Sequence, residues 1–136
     1  MADKITQLAI NSNSCTTTFI QIAGIEALKG PQDFVNTMAS EFKKRRDVIV
    51  DGLNAIEGIS CFKPQGAFYA FPNVMRLPLP CSELADYLLD EVGVALLPGT
   101  AFGDHGDGYL RLSYANSLEN ILDGLDRIQA GISKIR

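Results

Sequence analysis

The longest run of periodic apolar positions predicts a helix over residues 33–56. Apolar residues recur there at spacings of three, four or seven positions, so they fall on one face of a helix. They are Phe34, Met38, Phe42, Ile49, Leu53 and Ile56. We expect Asp33 to cap the start of this helix and Gly58 to end it. A helix of this extent is about 36 Å long at a rise of roughly 1.5 Å per residue.

The last helix predicted from the pattern covers residues 118–132. Ser117 or Asn116 can cap it, because a side-chain oxygen at that position accepts a hydrogen bond from the first turn. One side of this helix is apolar and carries Ile121, Leu122, Leu125, Ile128 and Ile132. Such a stripe is typical of a helix that packs against a core.

Two shorter helices are predicted in other parts of the chain. One covers residues 19–28, follows the polar run 11–18 and is stopped by Gly30-Pro31. Serine and threonine in the polar run are expected to cap its start. The other covers residues 82–91, with Ser82 as its cap and an apolar face.

Four short segments are predicted to be strands, namely 59–62, 67–71, 93–97 and 108–115. Residues 93–97 form a continuous apolar run, which is typical of a buried strand. The last segment alternates, so Leu110, Leu112 and Tyr114 share one face. Tyr109, Arg111 and Ser113 share the opposite face. Residues 67–71 follow a turn at Lys63-Pro-Gln-Gly66.

These elements predict an α+β fold. A small mixed or antiparallel sheet of about four strands is packed on one face by the long helix near the N-terminus and by the C-terminal helix. The sheet face that carries Arg111 is left open to another partner. Residues 1–32 are a leading segment whose first ten residues are weakly patterned, and residues 33–136 are one domain.

Composition narrows the classes of partner. The 136-residue chain has a net charge of −4, and its one basic run, Lys43–Arg46, falls within a predicted helix. Nucleic-acid binding needs a concentrated basic face, so we exclude it. No apolar stretch is long enough to cross a membrane, and no signal peptide is recognised. The cysteines Cys15, Cys61 and Cys81 are widely spaced, which favours a reducing cytoplasm over a disulfide framework.

Arg111 is the candidate binding residue that the pattern itself reveals. It stands in the middle of an apolar strand, where a guanidinium is costly to desolvate unless an anion meets it. Its planar fork fits a carboxylate through two parallel hydrogen bonds. An arginine on an edge strand that extends to water explains the residue equally well.

The other polar motifs indicate no phosphate, metal or catalytic site. Gly99–Gly103 matches no phosphate-binding signature and is explained by a tight exit from a strand. Asp104, His105 and Asp107 lie on a glycine-rich tip, and a metal site needs three or four convergent ligands. We therefore predict no metal site there. No nucleophile–histidine–carboxylate set and no carboxylate pair is found, so no catalytic residue is assigned.

Three motifs stand in a fixed order along the second half of the chain. They are Gly66-Ala-Phe-Tyr69, Leu97-Pro-Gly-Thr-Ala-Phe-Gly103 and Tyr109-Leu-Arg-Leu-Ser-Tyr-Ala115. With this order and spacing, the chain resembles the C-terminal small domain of class I pyridoxal-phosphate aminotransferases of the aspartate and aromatic type. The resemblance runs from about Asn11 to the end of the chain.

The resemblance implies roles for several residues. Arg111 would bind the α-carboxylate of the substrate through two hydrogen bonds. Gly66 and Ala67 would let their strand pass close to the substrate, and Phe68 would form a wall of the substrate site, although a core aromatic explains Phe68 as well. Residues 11–18 resemble the family's segment near the dimer interface and the neighbouring subunit's cofactor phosphate, but no cofactor-binding residue is assigned there.

The resemblance also implies what the chain lacks. The family's Schiff-base lysine, the aspartate at the pyridine nitrogen and the main phosphate cradle belong to its large domain, and Lys4 has no matching context. Electron-sink chemistry needs those groups. We therefore expect pyridoxal phosphate in the complete enzyme but no stable binding of it by this chain alone.

The interpretation that follows is a small lid domain, inactive alone, of an enzyme that moves an amino group from an aspartate-like or aromatic amino acid to a 2-oxo acid. Its partner would be a large cofactor-binding domain or a full-length subunit. One alternative is a free-standing module that binds a carboxylate or an amino acid; another is an interaction domain that docks onto a separate large domain. Docking onto a large domain predicts an exposed apolar surface on the helices 33–56 and 19–28.

Overall fold

The computed structural model describes the whole chain, Met1–Arg136, and confirms the α+β class. The helices are α1 (Ala2–Asn13), α2 (Thr18–Lys29), α3 (Asp33–Ala55), α4 (Cys81–Asp90) and α5 (Leu118–Ile135). The strands are β1 (Tyr69–Ala70), β2 (Leu97–Pro98) and β3 (Leu110–Ser113), and two short 3₁₀ turns lie between β2 and β3. The chain divides into two compact units, Met1–Asn36 and Thr37–Arg136.

The sheet has three strands where about four were predicted. Its order is β1-β3-β2, and both pairs are antiparallel. The predicted strand 59–62 is wrong, since only an isolated bridge joins Ser60 to Asn73. The reason is Asn54 on α3, whose side chain accepts from the Cys61 amide at 2.8 Å and donates to the Cys61 carbonyl at 3.0 Å. The backbone of Cys61 is thereby satisfied without a neighbouring strand.

The predicted buried strand 93–97 is also wrong for most of its length. Gly93 has φ +73°, and its amide donates to the Leu89 carbonyl, while the Val94 amide donates to the Leu88 carbonyl. These bonds complete the C-terminus of α4, which commonly uses a glycine in this conformation. Only Leu97 and the following proline pair with β3, and Leu97 is exposed.

The core of the second unit collects apolar residues from three helices and from one face of β3. On α3, Ile49, Val50 and Leu53 are buried, whereas Phe34 and Met38 of the predicted stripe are exposed. Burial therefore begins only in the second half of that helix. The chain leaves α3 through Gly58, whose φ of +93° lies in the region that favours glycine.

Helix α5 confirms its predicted cap and most of its apolar stripe. The Ser117 hydroxyl accepts a hydrogen bond from the Asn120 amide at 3.1 Å. Ile121, Leu125, Ile128 and Ile132 are buried, but Leu122 is 51 % exposed, so its place in the stripe was wrong. The buried residues share one side of the helix, and Leu122 lies outside it.

The remaining helices differ from the prediction at their starts. The weakly patterned first ten residues, apart from Met1, belong to α1. Helix α2 begins after Thr17, whose side chain makes no capping bond. Helix α4 begins one residue before Ser82, because Pro80 is the N-cap and its carbonyl accepts from the Leu84 amide. The predicted side-chain caps of α2 and α4 are therefore wrong.

Apolar side chains are exposed along α2 and the first turns of α3, as predicted from the sequence. On α2 these are Phe19, Ile20, Ile22, Ile25 and Leu28, and on α3 they are Phe34, Val35 and Met38. Neither α1 nor α2 contains a buried residue. None of the five helices has the length and apolar character that crossing a bilayer requires.

Candidate carboxylate-binding site

Arg111 lies in the middle of the central strand, on the face away from the core. Its neighbours Leu110 and Leu112 are buried, Arg111 itself is half-buried and Ser113 is exposed. This alternation follows from the period of two along a strand. Because β3 is flanked by β1 on one side and β2 on the other, residues of both neighbours can reach the Arg111 side chain.

Two aromatic rings flank the Arg111 guanidinium. Its Cζ atom lies 4.0 Å from the centroid of the Phe102 ring and 4.5 Å from the centroid of the Tyr69 ring. Both distances are within the range of cation–π attraction. Tyr69 lies on β1 and Phe102 follows β2, so the two rings come from segments on either side of β3.

Arg111 has no anionic partner within the chain. Seven other cationic side chains form ion pairs with carboxylates, and they are Lys43, Lys44, Arg45, Arg46, Lys63, Arg127 and Arg136. Arg111 forms none and donates no hydrogen bond to any residue of the chain. A half-buried guanidinium without an ion pair or a hydrogen bond inside the chain has all its N–H donors available for an external acceptor.

Backbone geometry explains how Phe102 reaches Arg111. After β2 the chain turns tightly at Gly99, whose amide donates to the Tyr109 carbonyl at 2.8 Å. Gly99 and Gly106 lie so close that a Cβ on either would overlap the carbonyl oxygen of the other. This approach folds the Gly99–Phe102 turn back over the strand that carries Arg111, in agreement with the predicted tight exit.

Further rings extend the surface around Arg111. Phe71 meets Phe102 edge-on at 6.4 Å between centroids and stacks on Tyr109 at 5.3 Å. We call Tyr69, Phe71, Phe102 and Tyr109 the aromatic face. Tyr69 and Phe102 were not predicted from the sequence to be neighbours of Arg111. The spacing of Tyr69 and Phe71 could have placed both on one strand face, but nothing in the sequence places Phe102.

Phe68 and Gly66, the other predicted substrate-binding residues, lie elsewhere. The Phe68 ring contacts Phe42 of α3 at 6.4 Å and Tyr69 at 4.5 Å, and no ring contact or hydrogen bond joins it to Arg111. Gly66 is exposed, with no atom within 4 Å of where a Cβ would lie. It lines a cavity of about 230 Å³ whose walls include Phe42.

Tyr114 fixes the segment that carries Gly66 and Phe68. Its hydroxyl donates to the Ala67 carbonyl at 2.9 Å, and its amide donates to the Phe68 carbonyl. Burial raises the pKa of Tyr114 above its usual value, which keeps this hydroxyl a donor. Ala67 has φ +59°, a conformation that an alanine seldom adopts.

The glycine-rich tip forms no metal-binding group. No cluster of three or more histidine, cysteine, aspartate or glutamate side chains converges anywhere in the chain. Asp107 accepts from the Gly108 amide at 2.9 Å and lies 3.6 Å from the Cys81 sulfur, so it stabilises its own loop. All three cysteines are free.

Comparisons with known proteins show the family of this chain. A family model described as aminotransferase class I and II matches residues 1–128. Aspartate aminotransferase of Pyrococcus horikoshii is 39 % identical over 117 residues, which cover 85 % of this chain and 30 % of that protein. The probable aspartate/prephenate aminotransferase of Aquifex aeolicus is 42 % identical over 139 residues, covering 98 % of this chain and 35 % of that protein.

Solved structures give the same result. The crystal structure of an aromatic aminotransferase from Pyrococcus horikoshii matches with a TM-score of 0.91 at 33 % identity, covering 97 % of this chain and 36 % of that chain. The aspartate aminotransferase of Rhizobium meliloti matches with a TM-score of 0.87 at 34 % identity, covering 95 % and 34 %. The chain spans about a third of the length of the curated relatives it matches. It belongs to the class I and II aminotransferase family, for which pyridoxal-phosphate dependence is typical.

Proposed function

We propose that this chain is the small domain of an aminotransferase that moves an amino group from an amino acid to a 2-oxo acid. Within it, Arg111 binds the α-carboxylate of the substrate. The observation that carries the proposal is the Arg111 guanidinium, which is half-buried, flanked by two rings and without an anion of its own. A carboxylate accepts two parallel hydrogen bonds from such a group.

The chemistry of this surface is binding and orientation. Arg111 would fix the substrate by its carboxylate, and the aromatic face beside it would exclude water from the bound molecule. Gly66 and Phe68 belong to the proposal as a more distant wall of the substrate site, supported by the contact between Phe68 and Tyr69. The substrate is an aspartate-like or aromatic amino acid, in keeping with the relatives' names.

The residues around Arg111 do not fit the cofactor itself. Pyridoxal phosphate supplies the electron sink for amino transfer, but the side chains in contact with Arg111 are aromatic and include no lysine. Lys43 and Lys63 pair with Asp47, and Lys44 pairs with Glu41. In this proposal the Schiff-base lysine and the phosphate site belong to a large domain, and the chain alone is inactive.

A large cofactor-binding domain or a full-length subunit is the partner we propose. The match to about a third of each relative supports it, and so do the exposed apolar residues of α2 and the first turns of α3. Residues 1–32 would link to the large domain and 33–136 would form the small domain. The boundary between the two compact units, at Asn36, is near that division. The free cysteines favour a cytoplasmic location.

The test uses a fusion of this chain to the cofactor-binding part of the Aquifex aeolicus relative. Amino transfer from aspartate to 2-oxoglutarate is measured on the fusion protein. We expect turnover, and Arg111→Lys should lower kcat/KM by about 10- to 100-fold, since a charged, two-pronged hydrogen bond is lost. Arg76→Lys is the matched control, because Arg76 is exposed and forms no ion pair. Equal kcat/KM for Arg111→Lys and wild type would contradict the role of Arg111.

The alternative of a free-standing carboxylate-binding module has one observation in its favour. Arg111 is available for a ligand in the chain as it stands, with no internal anion to displace. Such a module would bind an amino or oxo acid tightly by itself and would gain nothing from a large domain. Tight binding by the chain alone, together with no turnover in the joined protein, would favour this alternative.

A further inference from the structure

We infer that Tyr69 and Phe102 are positioning residues that hold the Arg111 guanidinium so that only its N–H edge meets a carboxylate. This inference rests on the proposed role of Arg111 and names the residues on which that role depends. Neither residue was assigned from the sequence as a partner of Arg111.

The topology places one ring on each side of the central strand. Tyr69 lies on β1 and pairs in register with Ser113, two residues from Arg111 and on the same face of β3. Phe102 follows β2, whose Leu97 pairs with Arg111 itself. Strand β1 and the turn that follows β2 therefore each supply a ring to the same cation.

The rings restrict how a ligand can approach. A guanidinium is planar, its π faces accept aromatic rings and its N–H groups all point outward in the plane. Cζ lies 4.0 Å from the centre of the Phe102 ring and 4.5 Å from the centre of the Tyr69 ring, so the two rings fill space beside the guanidinium that a ligand would otherwise reach. A carboxylate is left with the in-plane edge, where two parallel hydrogen bonds form.

The rings also reduce the entropy lost on binding. A free arginine side chain has many rotamers, and ordering them opposes any contact that it makes. Arg111 has no ion pair to order it, so Tyr69 and Phe102 are the groups that do. Phe102 is itself held by an edge-on contact with Phe71, which stacks on Tyr109.

The experiment uses the whole chain, labelled with nitrogen-15, and follows the Nε–H resonances of its arginines. Ring currents should displace the Arg111 resonance from that of Arg76, which has no ring contact. The same resonance, titrated with acetate, reports carboxylate binding, and acetamide is the uncharged control. The variants are Tyr69→Leu, Phe102→Leu and the conservative Tyr69→Phe, with Phe62→Leu as the matched control on an exposed ring.

We expect both leucine variants to move the Arg111 resonance toward that of Arg76 and to weaken acetate binding by about two- to fivefold. Tyr69→Phe keeps the ring, so it and Phe62→Leu should match the wild type. An undisplaced wild-type resonance would overturn the inference. This measurement is made on the wild type, so it does not depend on whether the variants fold. Unchanged acetate affinity in both leucine variants would overturn it as well.

A third result separates this inference from the proposed function. If the wild-type resonance is displaced as expected but acetate does not bind the wild type at any concentration, the ring geometry is correct and the carboxylate role of Arg111 is wrong. That part of the proposed function then fails, and the positioning role that rests on it fails with it.

Discussion

Helices α2 and α5 are both rich in apolar residues, yet one is buried along a stripe and the other is not buried at all. Helix α5 places four large apolar residues in the core of the second unit. Helix α2 exposes its large apolar side chains, with Leu28 85 % exposed. The two helices differ in the arrangement of those residues: α5 has a polar side and an apolar side, whereas α2 is apolar on most sides.

Apolar content alone therefore does not predict what a helix packs against. A helix that is hydrophobic all round is normally buried on more than one side. In α2 those sides are open, and a soluble protein seldom leaves so much apolar surface free without a partner. The second unit is stabilised by its own core, and the first unit carries surface suited to a large domain, as proposed above.

The greatest loss of stability is predicted for truncation of a buried leucine, compared with an exposed one. Leu53 on α3 is 1 % exposed, and Leu53→Ala should lower the free energy of unfolding by about 2–5 kcal/mol through lost burial and a cavity. Leu28→Ala on α2 is the matched control and should change it by less than about 0.5 kcal/mol. Urea unfolding at 25 °C measures both. Equal losses would mean that α2 is packed in solution.

A smaller loss of stability is expected when the residue at the start of a helix is replaced. Ser117→Ala removes the hydrogen bond that caps α5 and should cost about 1 kcal/mol. Thr17→Ala, at the start of α2, removes no capping bond and should cost much less. The difference between the two urea midpoints checks this expectation. A loss at Thr17 as large as that at Ser117 would show that α2 is capped after all.

Lowering the pH should destabilise the second unit, because Asp47 becomes protonated. Lys63, Lys43 and Arg46 donate to its carboxylate and hold its pKa well below the ordinary value of 3.8. Because the unfolded chain takes up this proton at higher pH than the folded chain, the stabilisation is complete above about pH 3.8 and is lost as pH falls below it. Asp47→Asn should lower Tm at pH 7 and reduce the change in Tm between pH 7 and pH 3.

The control for Asp47 lies in the first unit. Asp3 on α1 forms no ion pair, so Asp3→Asn should leave both Tm and its acid dependence as in the wild type. If the two variants showed the same acid dependence, the ion pairs of Asp47 would contribute nothing to stability in solution.

Removal of residues 1–32 is expected to change the stability of the chain least. Because the core lies in the second unit, the remaining chain should keep its cooperative unfolding and nearly its urea midpoint. Removal should also reduce the binding of a dye that fluoresces on apolar surface, since the exposed residues of α2 are gone. Loss of cooperative unfolding would contradict the proposed division of the chain.

The sequence predicted the elements that depend on local pattern. The stripe and the Ser117 cap of α5 were predicted because a period near 3.6 and a capping serine act within one helix. The alternation about Arg111 was predicted for the same local reason. Leu122 was wrongly included in the stripe because it follows Ile121 directly in the sequence, although its side chain is exposed.

The errors arose where distant residues decide the outcome. The Asn54 side chain satisfies the backbone of Cys61 from seven residues away and removes a strand. Gly93 completes α4 where an apolar run indicated a strand. Arg111 was found from its own strand, but Phe102 reaches it through the close approach of Gly99 and Gly106, which no local pattern reveals.

Mixing the purified chain alone with pyridoxal phosphate distinguishes a small domain from a complete enzyme. The absorption spectrum reports lysine-linked cofactor, and amino transfer from aspartate to 2-oxoglutarate reports turnover. We expect neither a stable lysine-linked band nor turnover, because in the proposed function Arg111 and its aromatic face bind a carboxylate and a large domain holds the cofactor. A stable band with turnover would overturn the proposed function, since this chain would then build a complete active site.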